Sequence, residues 1–292
     1  MFNRINSRNS DIAGLVVLYN PDQNVIGNIQ SYISQLSMFY VVDNSEVCNN
    51  KLIGTIKAFN NSKYIFNGEN LGIAKALNIG AEEAIKDGFK FLFTFDQDSK
   101  ATPGMIETMI SYLGQNDYSS IGILSPFQDN KGYKKPPSSK ITKVSNIATS
   151  GNLLNLDAYK QVGPFLDELF IDYVDVEYCL RLNDSGFKVI RLNAAILIHN
   201  LGNIVKRRFL FRKVAVTNHS PLRLYYRTRN RFYVLRKYKY KFPLFCIYNF
   251  IRLFMETLKV VCFENERIKK IRMMIKGYSH YKKNNFGKLI LH

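Results

Sequence analysis

Cysteine is scarce and scattered in this chain of 292 residues. Cys48, Cys179, Cys246 and Cys262 form no CxxC and show no metal-ligand spacing, which excludes a cysteine-built metal centre and reads as free thiols in a reducing compartment. The N-terminus, MFNRINSRNS, lacks the apolar centre of a signal peptide, so the expectation is a protein on the cytoplasmic side. No stretch repeats at a fixed period, which argues against a solenoid. Nor is there an uncharged run long enough to span a bilayer, which takes about 20 mostly apolar residues. The nearest candidate, FPLFCIYNFIRLFMETLKVVCF at 242–263, is interrupted by Asn249, Arg252, Glu256 and Lys259 at three- and four-residue intervals. That spacing gathers the polar groups on one helix face and suits an amphipathic helix in a membrane interface; the alternative is a helix packed on the protein with its charged side in water. The last absence is of acid. Residues 201–292 hold 23 Lys and Arg against 3 Asp and Glu, whereas residues 1–200 are nearly balanced, so the net charge of +18 belongs to the C-terminal third. Such asymmetry suggests a polyanionic partner: nucleic acid, an anionic membrane leaflet or phosphorylated ligands.

What is present is mostly apolar and regularly ordered. Hydrophobic residues make up 46% of the chain, enough for a packed core. Strand-like runs occur at 12–18, 39–42, 64–66 and 89–95. Helical periodicity occurs at 25–36 and 73–85, with Pro103 expected in the first turn of the next helix. This alternation predicts an α/β class with a parallel sheet covered by helices. Residues 128–140, QDNKGYKKPPSSK, read as a polar loop within the domain. Strand signals resume at 141, 152–156, 188–192 and 195–198, and a helix at 174–183 stops at Gly186. After about residue 205, basic and aromatic residues interleave. The expected organisation is therefore a catalytic domain over 1–205 and a basic, aromatic-rich helical region over 206–292.

Polar clusters fall at the C-terminal ends of the predicted strands, the edge at which open α/β sheets bind ligands. The most telling is FLFTFDQDS, 91–99, where Asp96 and Asp98 follow a buried run. Residues i and i+2 of a strand share a face, so the spacing points two carboxylates at one spot, and hard cations such as Mg²⁺ or Mn²⁺ prefer carboxylate oxygens. Asp43-Asn44 ends another strand. The loop NGENLG, 67–72, enters a helix carrying Asn78, and its glycines permit close backbone approach. Asp175 and Glu177 open the helix VDVEYCLRL, where dipole stabilisation is the plain reading. His199 follows an apolar ILI, where a structural role is the plain reading.

Taken in order, VVLYNP (16–21), VVDNS (41–45), NLGIAKALNIG (70–80), FTFDQDS (93–99), ATSGNLL (148–154), DYVDVEYCLRLNDSGFKV (172–189), IHNLG (198–202) and YYRTRNRFYVLR (225–236) resemble the family-2 glycosyltransferases with their GT-A fold. The likeness runs from about Ile12 to Arg236 and is strongest to the bacterial rhamnosyltransferases of O-antigen and cell-wall polysaccharide assembly. It implies a nucleotide-sugar donor, with dTDP-L-rhamnose favoured and UDP-hexose or UDP-galactofuranose as alternatives. It also implies a polyprenyl-diphosphate-linked glycan acceptor at the cytoplasmic face of the bacterial plasma membrane, where the basic third would meet anionic lipid. By the same resemblance Asp43 would recognise base or ribose, and Asn70, Gly72 and Asn78 would surround the nucleotide. Asp96 and Asp98 would bind Mg²⁺ or Mn²⁺ against the diphosphate, His199 would be a later metal or diphosphate contact, and Arg229 would steady the leaving diphosphate. Asp175 falls on the second residue of the family's Glu-Asp pair, the catalytic base. Val174 departs from that pair, which leaves Asp172 and Glu177 as further acidic candidates.

Two other classes compete. The basic and aromatic interleaving at 206–241 fits a single-stranded nucleic-acid platform, but that reading gives the carboxylates no role, and no nucleic-acid partner is expected. A nucleotidyltransferase would carry a Gly-rich, basic phosphate loop after the first strand, and YNPDQN stands there instead.

Overall fold

A computed structural model describes residues 9–129, 136–199, 205–209, 212–216 and 218–290. The chain forms two compact units. One comprises Met1–Leu166 with Tyr178–Asn200, the other Asp167–Glu177 with Leu201–His292. The sequence places the boundary near 205; the structure in addition groups 167–177 with the C-terminal unit, for a reason given below.

The first unit is built on a mixed nine-stranded sheet. Its parallel half contains β1 (Ile12–Leu18), β2 (Met38–Asp43), β3 (Ser62–Phe66) and β4 (Phe91–Asp96), in the order β3-β2-β1-β4. All seven residues of β1 are buried, as expected of a strand with a neighbour on each side and cover on both faces. Beyond β4 the order continues through β8 (Asn152–Asn155), β6 (Ile121–Asp129), β9 (Lys188–His199) and β5 (Ser99–Ala101), with β7 (Ile141–Lys143) also on β9. The β4–β8 pair is antiparallel and the β6–β9 pair parallel.

Helices α1 (Asn24–Gln30), α2 (Asn50–Lys57), α3 (Ile73–Lys86), α4 (Met105–Gln115) and α5 (Leu156–Val162) accompany the sheet, and α6 (Val174–Asp184) begins in the second unit and continues into the first. Where α3 meets β1, a Cβ at Gly80 would strike Leu15, so this glycine sets a close helix–strand approach. Met105, Ile106, Met109 and Leu113 of α4 join one apolar layer with Phe91, Phe93 and Phe95.

Four local expectations change. The helix over 25–36 stops at Gln30, because Ser31 turns its hydroxyl onto the Asn28 carbonyl (2.6 Å) and Tyr32 drops inward to stack on Phe95 at 3.9 Å. Pro103 lies ahead of α4, separated from it by left-handed Gly104. Asp98 is in a turn rather than on a strand, so strand alternation does not set its direction. The two strand pieces at 188–198 are one strand with a bulge. Its partner β6 reaches Pro126, which has no N–H to give, and the register with β9 jumps there from Leu192 to Ile196.

The second unit holds α7 (Pro221–Tyr238), α8 (Pro243–Phe263), α9 (Arg267–Lys282) and the hairpin β10 (Val205–Phe209) with β11 (Arg212–Val216). Gly277 of α9 lies against the Tyr225 carbonyl of α7, leaving no room for a Cβ. Leu224, Val260 and Met274 join the three helices in one cluster. No helix among the described residues is long and apolar enough to cross a membrane.

Candidate active site

Because β1, β2 and β4 are parallel neighbours, their C-terminal ends form one edge. In register, Leu18 faces Asp43 on one side and Val17 faces Asp96 on the other. Two strand spacings of about 4.8 Å put the two aspartate backbones roughly 10 Å apart with β1 between them.

The turn 96–99 is held at several points. Gln97, the residue between the two carboxylates, forms a two-point amide pair with the backbone after β1: Tyr19 N–H donates to Oε1 at 2.8 Å, and Nε2 donates to the Tyr19 carbonyl at 3.3 Å. Asn28 Nδ2 donates to the Gln97 carbonyl at 2.8 Å. Asp96 N–H donates to Ser150 Oγ (3.0 Å), and that hydroxyl donates to the buried Ser99 Oγ (2.7 Å). The loop carrying Ser150 is itself pinned, with Gly151 N–H on the Thr94 carbonyl at 2.6 Å and Gln128 Nε2 on the Ser150 carbonyl at 2.7 Å. Asp96 is thus half-buried and Asp98 exposed on a turn with a fixed backbone. Gln97 and Ser150 were not predicted; nothing in the local pattern marks an amide or a hydroxyl as the anchor of a neighbouring acid.

Ser99, directly after Asp98, pairs with the backbone of His199. The two segments are therefore strand neighbours, although the His199 side chain lies outside the described residues. Among the described residues no group of three or more His, Cys, Asp or Glu side chains is placed to hold a metal ion. Two carboxylates on a partly open turn still suit a hard cation that completes its shell with phosphate oxygens and water, as Mg²⁺ sites with few protein ligands do.

The Asp43 end is tighter. Asp43 is 2% exposed. One carboxylate oxygen accepts the Ser45 N–H at 2.9 Å and the other the Tyr64 hydroxyl at 2.6 Å. Burial first, and the Asp43 hydrogen bond second, hold the Tyr64 phenol well above its usual range. Asn44 donates to the Gly72 carbonyl (3.0 Å) and accepts from Asn67 (2.7 Å), while Asn70 accepts the Gly72 N–H (3.0 Å). Gly72 has φ +86° at the entry to α3, a conformation that disfavours side chains. Asn78, also expected around the nucleotide, lies on α3. It is buried, with Nδ2 on the Phe165 carbonyl and Oδ1 accepting both the Phe165 N–H and the Tyr159 hydroxyl. Its amide fastens α3 to the segment before residue 166.

Asp175 belongs to the second unit, in the first turn of α6. It is half-buried, and its Oδ1 accepts the Val176 N–H at 2.8 Å. The backbone leading to it is strained: Phe170, Asp172 and Tyr173 have φ of 63°, 61° and 67°. Left-handed non-glycine residues cost about 1–3 kcal/mol each and persist only where their surroundings over-determine them. Here α7 supplies those surroundings. The Asn230 amide donates to the carbonyls of Leu169, Ile171 and Asp172 at 2.7, 2.8 and 2.8 Å. Arg231 Nε donates to the Tyr173 hydroxyl at 2.6 Å. These bonds bring 167–177 into the C-terminal unit.

Arg229, expected at the diphosphate, is also part of this clamp. It is 1% exposed. Its guanidinium donates to Asn230 Oδ1 and to the carbonyls of Gly287, Glu168 and Leu169, under the rings of Tyr225, Tyr226 and Phe286. Burial lowers its pKa. The other acidic candidates near Asp175 are held in ion pairs. Asp172 accepts from Arg223 (3.1 Å), and fully buried Glu177 accepts from Lys237 (2.7 Å) and from the Tyr238 hydroxyl (3.0 Å). With Tyr225, Tyr226, Arg229, Arg231 and Tyr238 buried, α7 offers little of the open stacking platform that a single-strand binder would need.

The family model for glycosyl transferase family 2 matches residues 15–165, which hold Asp43, Asp96, Asp98 and the loop before α3. The dTDP-rhamnosyl transferase RfbF of Shigella flexneri is 30% identical over 246 residues, covering 78% of this chain and 81% of that protein. Among solved structures, GalNAc-T7 with UDP, GalNAc and Mn²⁺ is similar at a TM-score of 0.55 and 14% identity, over 75% of this chain and 47% of that one. S. aureus TarS is similar at 0.53 and 12%, over 93% and 43%. The chain spans less than half the length of those two structures, and at such identities the likeness is one of fold, the GT-A type with its helix-flanked sheet. From the match over more than half its length and the relative at 30% identity, the chain belongs to glycosyl transferase family 2.

Proposed function

We propose that the protein is an inverting rhamnosyltransferase that moves L-rhamnose from dTDP-L-rhamnose to a polyprenyl-diphosphate-linked glycan in cell-surface polysaccharide (O-antigen type) assembly, working as a peripheral protein on the inner face of the plasma membrane. The observation that carries the reading is the anchored turn Asp96-Gln97-Asp98 at the sheet edge it shares with Asp43 and Gly72. The sugar is taken from the Shigella flexneri relative; the UDP-bound structures of similar fold keep a UDP-sugar as the second reading.

Asp96 and Asp98 would hold Mg²⁺ or Mn²⁺, with His199 as a further contact. When bound, the cation supplies Lewis-acid neutralisation of the charge that grows on the departing diphosphate. Asn70 and Gly72 present backbone to the nucleotide. Asp43 positions Tyr64 and the 43–45 turn at its nucleoside end, and Asn78 and Arg229 act through packing.

Asp175 is the base. Its carboxylate takes the proton of the acceptor hydroxyl as that oxygen bonds to the anomeric carbon. The bond from that carbon to the diphosphate oxygen breaks on the opposite face, and its electron pair leaves with dTDP. One displacement gives inversion. Asp172 and Glu177 serve in ion pairs instead.

Calorimetry with dTDP-L-rhamnose and UDP-sugars, in Mg²⁺, in Mn²⁺ and in EDTA, tests the donor side. Asp98→Asn is expected to lose the metal-dependent part of binding. Asp175→Asn is expected to bind donor within about twofold of wild type while turnover falls about 10²- to 10⁴-fold, the usual contribution of a general base. Folded wild type that binds no nucleotide with either metal would sink the reading; a UDP preference would change the sugar alone.

A further inference from the structure

Helix α8 is amphipathic in the reverse of the usual sense. A surface helix turns its apolar stripe to the core and its polar face to water. Here the polar side chains are the ones tied to the fold. Asn249 is buried and accepts the Tyr173 hydroxyl (3.1 Å), and Glu256 accepts from Arg227 (3.1 Å) and Arg231 (2.7 Å) of α7. Leu244, Ile247, Tyr248, Ile251, Phe254 and Leu258 are exposed, Leu244 at 80% and Phe254 at 66%. At about 100° per residue the exposed apolar positions cover an arc of roughly 160°, and 21 residues make a stripe about 31 Å long. Apolar patches of that extent on a protein surface mark an interaction site.

Charge decides what covers it. The only acidic residue of α8, Glu256, faces inward onto two arginines. The other two acids of residues 201–292 are also paired, Glu264 with Lys270 at 2.8 Å and Glu266 with Lys269 at 3.2 Å. Basic groups border the stripe: Arg252 lies along its edge with its guanidinium 5.7 Å from the Tyr248 ring, Lys239 and Lys241 stand exposed before the helix, and Arg267 and Lys269 after it. A second copy of the chain would bring the same positive field against itself. An anionic bilayer brings the opposite sign at the headgroups and hydrocarbon beneath them, and long basic side chains at the edge of an apolar face can reach those headgroups.

We infer that the outward face of α8 is a membrane-docking surface for anionic phospholipid, the helix lying in the plane of the interface with its apolar arc about 5–10 Å below the headgroups. This deepens the proposed membrane location and rests on it.

The chain has no tryptophan, so Tyr248→Trp makes a single reporter on the stripe of the full protein. With vesicles containing phosphatidylglycerol, its emission is expected to shift to the blue and to be quenched by brominated acyl chains, with neither change on phosphatidylcholine alone. Adding Ile251→Asp and Leu258→Asp is expected to weaken vesicle binding about 100-fold, as loss of two buried aliphatic side chains would. Transfer to a soluble acceptor analogue should be unchanged, so failure of docking and failure of the chemistry read out separately. The inference is overturned if the reporter stays in water while the protein binds vesicles, if the double variant binds vesicles as tightly as its parent, or if it instead converts a dimer to a monomer in sedimentation velocity, which would make the stripe a subunit interface.

Discussion

Replacing Asn230 by alanine removes the donor that holds three carbonyls of the segment ahead of Asp175. The bonds lost are those to Leu169 at 2.7 Å and to Ile171 and Asp172 at 2.8 Å, with the acceptor for Arg229 Nε at 3.0 Å. A buried hydrogen bond is worth about 1 kcal/mol net, and an orphaned partner costs about 1–3 kcal/mol, so the clamp is weakened by about 3–5 kcal/mol. Opposing it, the three left-handed residues Phe170, Asp172 and Tyr173 each hold about 1–3 kcal/mol of strain. The two quantities are of the same size. Without Asn230 the segment therefore relaxes out of its conformation while a domain of ordinary stability, about 5–15 kcal/mol, stays folded.

A base misplaced by about 1 Å costs about 10²-fold in rate. We expect Asn230→Ala to lower kcat about 100-fold, with donor affinity by calorimetry unchanged within about twofold, and hydrogen exchange at residues 170–177 to quicken. Asn230→Asp, which keeps the shape but cannot donate, should do the same. Wild-type kcat in both variants, with 170–177 still protected, would refute the clamp; loss of donor binding in a folded variant would show that Asn230 acts on the nucleotide instead.

Three further outcomes follow from the geometry. Gln97→Ala breaks both bonds to Tyr19 and should cost about 1–2 kcal/mol of stability, with metal-dependent donor binding weakened about tenfold, read by calorimetry. Tyr64→Phe removes one of the two bonds to the buried Asp43 carboxylate and should lower the thermal midpoint while leaving kcat within about threefold. His219 is held below its usual value of 6.5 by burial, with Arg223 and Arg227 adding to it. The folded state thus binds fewer protons than the unfolded one, and stability present above 6.5 falls as pH drops through the folded value. Urea midpoints across that range should show the decline, and His219→Gln should flatten it.

The strands and the carboxylate edge were legible because they rest on short-range rules. Buried parallel strands read as continuous apolar runs, and β1 and β4 do; loop glycines and asparagines mark strand ends, as at 67–72. Other features depended on partners distant in sequence. Nothing near Ser31 announces that its hydroxyl will accept the Ala101 N–H (3.0 Å) and end α1. Gln97 is an ordinary polar residue until Tyr19 is beside it. The RTRNRFY stretch looked like a basic surface because three successive buried polar residues cannot be read from helical periodicity. Arg229, Asn230 and Arg231 are buried together only because 167–173 and the α8 and α9 helices surround α7 within the second unit. The same blindness applied to α8: its period was visible, and its orientation was not, since which face points outward is set by Arg227, Arg231 and Tyr173 rather than by α8 itself.

Arg231 ties two of these features together. Its side chain is 1% exposed; Nε donates to Tyr173 in the strained segment and Nη2 to Glu256 on α8. Tyr173 in turn donates to Asn249 of α8. The polar face of α8 and the backbone ahead of Asp175 are thus one packed cluster, whereas the apolar arc of α8 is exposed. Glu256→Gln removes the counter-charge of a buried guanidinium, which costs about 3–5 kcal/mol when one member of a buried pair is lost. Transfer to a soluble acceptor should fall with it, because the segment bearing Asp175 loosens. Ile251→Asp, on the opposite face of the same helix, should leave soluble transfer and the thermal midpoint at wild-type values and affect vesicle binding alone. Measured side by side, these variants separate the two faces. If Ile251→Asp lowered soluble transfer, or if Glu256→Gln left both stability and soluble transfer intact, the assignment of an inner, base-supporting face and an outer, lipid-facing one would fail.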